Sequence, residues 1–331
     1  MNRLIKSEVI VYHDETGREV PEKTKGHILL FVPARSTIEY AHGLFREQSI
    51  IFTPHQSLFK EIEKIREDCI ANHKFHFTDI SGRKWTNRNE AEKRLVVKAV
   101  EFLSQKGCNN NLFCKFGIIL YQTPDPNHIS AYGGELRHEK RLRFGETVLR
   151  MLLKGCVHYL YNPNHKVKIM RIVTDGQPCH RKLSDFRIIG KLLNEVRDYV
   201  EICNDAEIVH LPSGHKEHLK GSDDYVHANM LQLADMLLGS IVYACLGDKA
   251  IIETSPRIND RVASKKGIIA CVLKKMLDKR KRGSNFRNSS HYKAFTISKA
   301  EIRNRTWAFE NVISNEIQID QNKGQINLFD F

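Results

Sequence analysis

The chain has no cysteine pair at CxxC spacing. Its eight cysteines, at positions 69, 108, 114, 156, 179, 203, 245 and 271, are scattered over 331 residues. That excludes a zinc ribbon and a disulfide framework, and points to reduced thiols in a cytoplasmic protein. No apolar run is long enough to span a bilayer, and no basic amphipathic anchor stands out, so a membrane is not an expected partner. The opening Met-Asn-Arg-Leu-Ile-Lys-Ser-Glu has no apolar h-region, so no signal peptide is expected there. P-loop, zinc-finger and dinucleotide fingerprints are missing, and the turn at Gly133-Gly134 is too short to indicate nucleotide binding. Acidic residues are in deficit: 39 Asp and Glu face 52 Lys and Arg, a net charge of +13. Such an excess favours a polyanionic partner, nucleic acid first, and carries no information about fold.

What is present begins with residues 8–17, Glu-Val-Ile-Val-Tyr-His-Asp-Glu-Thr-Gly. Val9 to Tyr12 read as a buried strand. The strand ends in two carboxylates, Asp14 and Glu15. Charge at the mouth of a buried strand is costly unless paired or coordinated. Ligands and metals commonly bind outside the carboxyl ends of such strands.

A second strand is expected over 26–32, stopped by Pro33. Residues 34–111 read as an insertion. Leu58, Ile62, Ile65 and Cys69 recur at helical spacing, so 57–70 is expected to be a helix. Lys74 to Ile80 alternates like a strand and carries His76 and Asp79. A helix follows over 87–105. Then α/β alternation sets in. Strands are expected at 113–121, 167–174 and 206–211, and helices at 138–160, 184–202 and 226–246. Without the insertion, the order is strand, strand, strand, helix, strand, helix, strand, helix. That order resembles the ribonuclease H-like fold. The resemblance implies a mixed five-stranded sheet flanked by helices, with three antiparallel strands extended by two parallel ones. The first and fourth strands would lie side by side, which brings Asp14 and Asp175 together.

The third carboxylate is Asp235, inside an apolar helix, where an unpaired Asp is rare. Steps of three and four residues from it place Asp224, Ala228, Gln232 and Gly239 on the same face. Ala228 and Gly239 are small, so that face can approach another backbone closely.

Three motifs then resemble the bacterial domain-of-unknown-function 3800 family. Asp14-Glu15-Thr16-Gly17 is similar to its Asp-Glu-Ser-Gly opening, with Thr in place of Ser. Phe75-His76-Phe77-Thr78-Asp79 resembles its histidine motif. Leu231-Gln232-Leu233-Ala234-Asp235 resembles its closing signature. The resemblance spans about 8–246 and implies a ribonuclease H-like fold with acidic residues suited to metal-dependent nuclease chemistry, in defence or DNA maintenance.

Clustered carboxylates without Cys or multiple-His spacing suit Mg²⁺ or Mn²⁺ rather than zinc. Asp14, Asp175 and Asp235 are the expected ligands. Glu15 and Asp224 are secondary, and for Glu146 a solvated helix face is preferred. His76 stands open between an acid/base or phosphate-binding role and a structural one. From Arg257 to Arg305, fifteen Lys and Arg outnumber three Asp and Glu. Lys274, Lys275, Lys279, Arg280, Lys281 and Arg282 are the densest part of this basic C-terminal extension (251–310), which suits a phosphate-tracking surface. The leading function is a metal-dependent nuclease, with DNA favoured as substrate. A catalytically silent nucleic-acid-binding or adaptor protein is the alternative from another class.

Residues 311–331 read as a tail that ends Gln-Ile-Asn-Leu-Phe-Asp-Phe. Gln325, Leu328 and Phe329 resemble the bacterial sliding-clamp-binding pentapeptide, although the same apolar residues could dock on the protein's own core. A peptide covering 320–331 should bind the clamp with micromolar affinity, roughly 8 kcal/mol. Leu328→Ala with Phe329→Ala should remove that binding in a fluorescence-polarisation titration, and a silent wild-type peptide would reject the motif.

Overall fold

The computed structural model describes residues 2–15, 24–41, 48–69, 72–80, 84–103, 114–122, 137–175, 198–203, 206, 208–211, 216–246, 265–270, 272–273, 294–303 and 306–314. The basic run Lys274, Lys275 and Lys279 to Arg282, and the tail residues Gln325, Leu328 and Phe329, lie outside these described residues.

Two long strands form the centre. β1 (Asn2–Glu15) pairs antiparallel with β2 (Thr24–Ala41) along its whole length. Both are apolar on both faces: Tyr12, Ile28 and Leu30 enter one core, and Val9, Val11, Leu29 and Phe31 enter another. This two-sided burial explains the near-continuous Val/Ile/Leu/Phe runs of the sequence. β4 (Lys115–Gln122) lies antiparallel on the far side of β2, and β5 (His165–Asp175) lies parallel to β1. Two short parallel strands, β6 (Val200–Ile202) and β7 (Ile208–Leu211), follow one another along the outer edge of β5. The protein is thus α/β, with a mixed sheet flanked by helices.

Among the described residues, long helices cover both faces of the sheet. α1 (Pro54–Cys69), α2 (Asn87–Leu103) and α4 (Tyr225–Leu246) pack with Tyr12, Ile28 and Leu30 on one face. α3 (Arg137–Leu160) packs with Val9, Val11 and Phe31 on the other. α4 has Met230, Leu233, Ala234, Met236, Leu237, Leu238 and Ile241 all buried, so it is apolar around most of its circumference, as a helix enclosed on several sides should be. No helix among the described residues is long and apolar enough to cross a membrane.

Several expectations need correction. Among the described residues the sheet has nine strands, not five. β3 (Gln48–Phe52) pairs with the extended end of β2. β8 (Phe295–Arg303) pairs parallel with β4, and β9 (Thr306–Ser314) folds back on β8. The basic C-terminal region therefore contributes strands to the sheet. Pro33 does not stop β2, because the register against β1 shifts there and Ala34 is the extra residue of a bulge. On its other edge β2 pairs with β4 up to Phe31 and with β3 from Ser36, so no strand on that edge calls on the missing N–H of Pro33. Residues 200–202 are a strand and not the end of a helix, while the rest of that expected helix, up to residue 197, lies outside the described residues.

The segment 74–80 is no strand either. Phe77–Asp79 is a single 3₁₀ turn. Phe75 and Phe77 are both buried, which produced the strand-like alternation, but they enter the core beneath α1, α2 and α4 from a turn.

Candidate functional site

Asp14 and Asp175 leave the carboxyl ends of adjacent parallel strands. His13 on β1 is in register with Thr174 on β5, so the next residue on each strand is an aspartate. Strand alternation puts both with Tyr12 and Val173, on the face covered by α4. α4 packs across β1 and brings Asp235 to the same place. The Asp14 and Asp235 carboxyl groups lie close enough to act on each other's charge, as do Asp14 and Asp175.

Asp14 is 6% exposed. Burial drives its pKa well above the usual carboxylate range, and the charges of Asp235 and Asp175 push in the same direction. Asp235 is also raised, chiefly by burial, while the nearby His76 and a backbone hydrogen bond draw it down. Both carboxyl groups are therefore held above the usual carboxylate range, Asp14 the more strongly.

Asp235 is held from a second side. The Phe77 N–H donates to its Oδ2 at 2.7 Å, and His76 Nε2 lies 3.9 Å from its Oδ1. His76 Nδ1 accepts the Thr78 N–H at 3.2 Å, which leaves the ring proton on Nε2, facing Asp235.

This turn is anchored by residues that the sequence reading missed. Gln232, three residues before Asp235, accepts the Phe75 N–H at 2.9 Å and an Arg66 Nη2–H at 2.6 Å through Oε1. Arg66 on α1 also donates to the His73 carbonyl at 2.8 Å and to Asn229 Oδ1, and stacks on the Phe75 ring at 4.3 Å. Arg66 is buried, which draws its pKa down to about 10, so it remains charged at neutral pH. The available signal was its position: Leu58, Ile62 and Arg66 recur every four residues, which places an arginine on an apolar stripe.

Gly239 completes the seat. It lies one turn beyond Asp235 on α4, and a Cβ there would overlap the Phe77 ring. The small residue on this face makes room not for another backbone but for the side chain of Phe77.

The other expected residues lie elsewhere. Glu15 follows Asp14 and therefore projects to the opposite face, where its Oε2 lies 3.6 Å from His27 Nε2. Glu146 is buried on α3, the helix that covers that opposite face, so the sheet separates it from Asp14. Asp224 precedes α4 and acts on His227, two turns from Asp235. Behind the site, Thr174 Oγ1, His13, His27 and the Tyr121 hydroxyl form a buried hydrogen-bonded chain with links of 2.8, 2.9 and 3.0 Å. This chain ties β1, β2, β4 and β5 together next to the two strand-end aspartates.

Among the described residues, no group of three or more His, Cys, Asp or Glu side chains stands at metal-ligand spacing. The donor chemistry nevertheless fits a hard divalent cation. Asp14, Asp175 and Asp235 offer only oxygens, and the repulsion felt at Asp14 is what a positive charge relieves. A scan against protein-family models found no match and a search of curated proteins found none, so the family resemblance rests on the quoted motifs alone.

Two predictions follow from the geometry. Gly239→Ala should destabilise the fold by about 1–3 kcal/mol, the usual cost of overpacking. It should also broaden or shift the Phe77 amide resonance, and an unchanged amide with unchanged stability would mean that the ring does not need the space. The second concerns pH. A carboxyl whose folded pKa is raised contributes stability below its unfolded value, about 3.9, and loses it as pH rises through the folded value. In EDTA the melting temperature should therefore fall as pH is raised above about 4 through the raised Asp14 value. Asp14→Asn should flatten that fall and stabilise the metal-free protein at pH 7 by roughly 1–3 kcal/mol. An Asp14→Asn melting curve with the wild-type pH dependence would show that Asp14 is not the group behind that fall.

Proposed function

We propose that this protein is a metal-dependent phosphodiesterase that acts on nucleic acid, with DNA favoured, and that Asp14, Asp175 and Asp235 hold Mg²⁺ or Mn²⁺. The observation that carries the reading is the convergence of these carboxyl groups from β1, β5 and α4, close enough for Asp235 and Asp175 to raise the pKa of Asp14. The order of the central strands, β4, β2, β1 and β5 with β6 and β7 beyond, supports a ribonuclease H-like core. Antiparallel pairing of the first three and parallel pairing of the rest supports it further. Nine strands make the sheet larger than the core that the resemblance implies.

When bound, such an ion supplies charge neutralisation at the phosphate and a water of lowered pKa. The protein's own groups do the rest. Asp14, Asp175 and Asp235 would hold the ion, whose charge would relieve the repulsion that raises Asp14. The Phe77 N–H keeps Asp235 in one orientation. His76 presents Nε2–H beside Asp235, so it is placed to move a proton to or from an oxygen of the reacting group. Lys266, from the basic C-terminal region, lies 5.5 Å from the centre of the Phe77 ring and adds a cation at the edge of the site. The remaining basic run and the clamp-like tail would supply contacts along the nucleic-acid strand and a tie to replicating or repaired DNA.

Labelled single- and double-stranded DNA and RNA, incubated with Mg²⁺, Mn²⁺ or EDTA, test the reading. Cleavage should need the metal and should fall by at least about a hundredfold in Asp14→Asn, as expected when one essential charged group is lost. Binding without cleavage under every metal condition would favour the silent nucleic-acid-binding protein. Neutralising Lys279, Arg280, Lys281 and Arg282 should reduce the slope of log affinity against log salt by up to about 3–4 for duplex DNA. An unchanged slope would place that run away from the nucleic acid.

A further inference from the structure

Tyr12 lies two residues before Asp14 on β1, roughly 7 Å along the strand and on the same face. Its ring is buried, and its hydroxyl is held by two imidazoles at once: His55 Nε2 at 2.7 Å and His227 Nδ1 at 2.9 Å. A hydroxyl has one proton to give. It donates to one ring, so the other ring donates to it. The nitrogens left over, His55 Nδ1 and His227 Nε2, are then one N–H donor and one lone pair. Both rings are only partly buried, unlike the tyrosine.

The two histidines arrive in the same way. His55 is in the first turn of α1 and His227 in the first turn of α4, and neither first turn contains an acidic residue. Two positive helix ends therefore meet over Tyr12. Arg171 on β5, in register with Ile10, adds a full positive charge that acts on both Tyr12 and His227. The opposing charge is Asp224, ahead of α4, which acts on His227. Burial, reinforced by the neighbouring His227, brings His55 down to about 4, and burial with Arg171 lowers His227. At neutral pH the cluster is thus one fixed cation with two uncharged rings.

This composition selects an anion. Two imidazoles can ligate a metal, but Arg171 repels a cation here and Tyr12 already occupies one nitrogen of each ring. An oxyanion is suited here: it accepts from the guanidinium fork and from an imidazole N–H, and its charge balances that of Arg171. We infer that Tyr12, His55, His227 and Arg171 form a phosphate subsite, which takes a backbone phosphate next to the one at Asp14, Asp175 and Asp235. The identity of the strand rests on the phosphodiesterase reading; the anion site rests on the cluster alone.

Inorganic phosphate, titrated into the full-length protein in EDTA, should shift the imidazole NMR resonances of His55 and His227. Arg171→Gln should weaken phosphate binding by about tenfold or more, the loss of one charge-assisted hydrogen bond. Arg171→Lys should recover part of that affinity, and circular dichroism should show the native fold in both variants. On an oligonucleotide substrate, Arg171→Gln should raise KM more than it lowers kcat. Imidazoles that phosphate does not move, or that respond to Zn²⁺ and not to phosphate, would overturn the subsite. The wild-type titration decides the matter even if a variant fails to fold. Phosphate binding without nuclease activity would remove the phosphodiesterase reading and keep the anion site. Asp14-dependent cleavage without phosphate binding would do the reverse.

Discussion

A half-buried aspartate in an apolar helix constrains everything around it. Asp235 is surrounded on α4 by Leu233, Ala234, Met236 and Leu237, all buried. A carboxylate in such a place is costly unless other groups satisfy it. Here Asp235 has two polar neighbours, the Asp14 carboxyl at the end of β1 and the Phe77 N–H, which donates to it. Each demands structure of its own. The first requires β1 to end under α4. The second requires the chain at residues 73–79 to turn and present a backbone donor. That turn exists because Gln232 and Arg66 bind its other polar groups and because Gly239 leaves room for the Phe77 ring. The helices between β3 and β4 are therefore not ornament on the sheet: they build one wall of the carboxylate site.

The sheet divides the chemistry in two. On the α4 face lie the three aspartates, His76 and the Tyr12 cluster, a row of negative groups beside a row of groups that favour anions. On the α3 face, the chain from Thr174 through His13 and His27 to Tyr121 is fully engaged with itself. Its role is to hold the strand ends rigid, so that Asp14 and Asp175 keep their positions despite mutual repulsion. A cation between acids and an anion subsite alongside would complement each other electrostatically, which neither group of residues does alone.

Much of this was legible from residue patterns. Strands that end in aspartate and an aspartate inside an apolar helix pointed to the three carboxylates, because burial of charge leaves a mark in sequence. The side of Glu15 was legible too, since the alternation that buries Val9 and Val11 assigns it to their face. Other features left no such mark. Phe75 and Phe77 alternate in a turn as they would in a strand, because both are buried and the intervening His76 is more exposed. Arg66 stands among many charged residues of α1, and only the four-residue spacing from Ile62 separates it from them. β8 lies within a basic stretch whose charge obscures its short apolar alternation, and its place beside β4 depends on a partner more than 170 residues earlier. Long-range pairing of that kind has no local signature.

Crystals of the wild-type protein soaked in Mn²⁺ would test the central claim most directly. Anomalous diffraction at the manganese edge should give a peak bounded by the carboxylates of Asp14, Asp175 and Asp235. Manganese absent from the crystal or bound elsewhere would contradict the account.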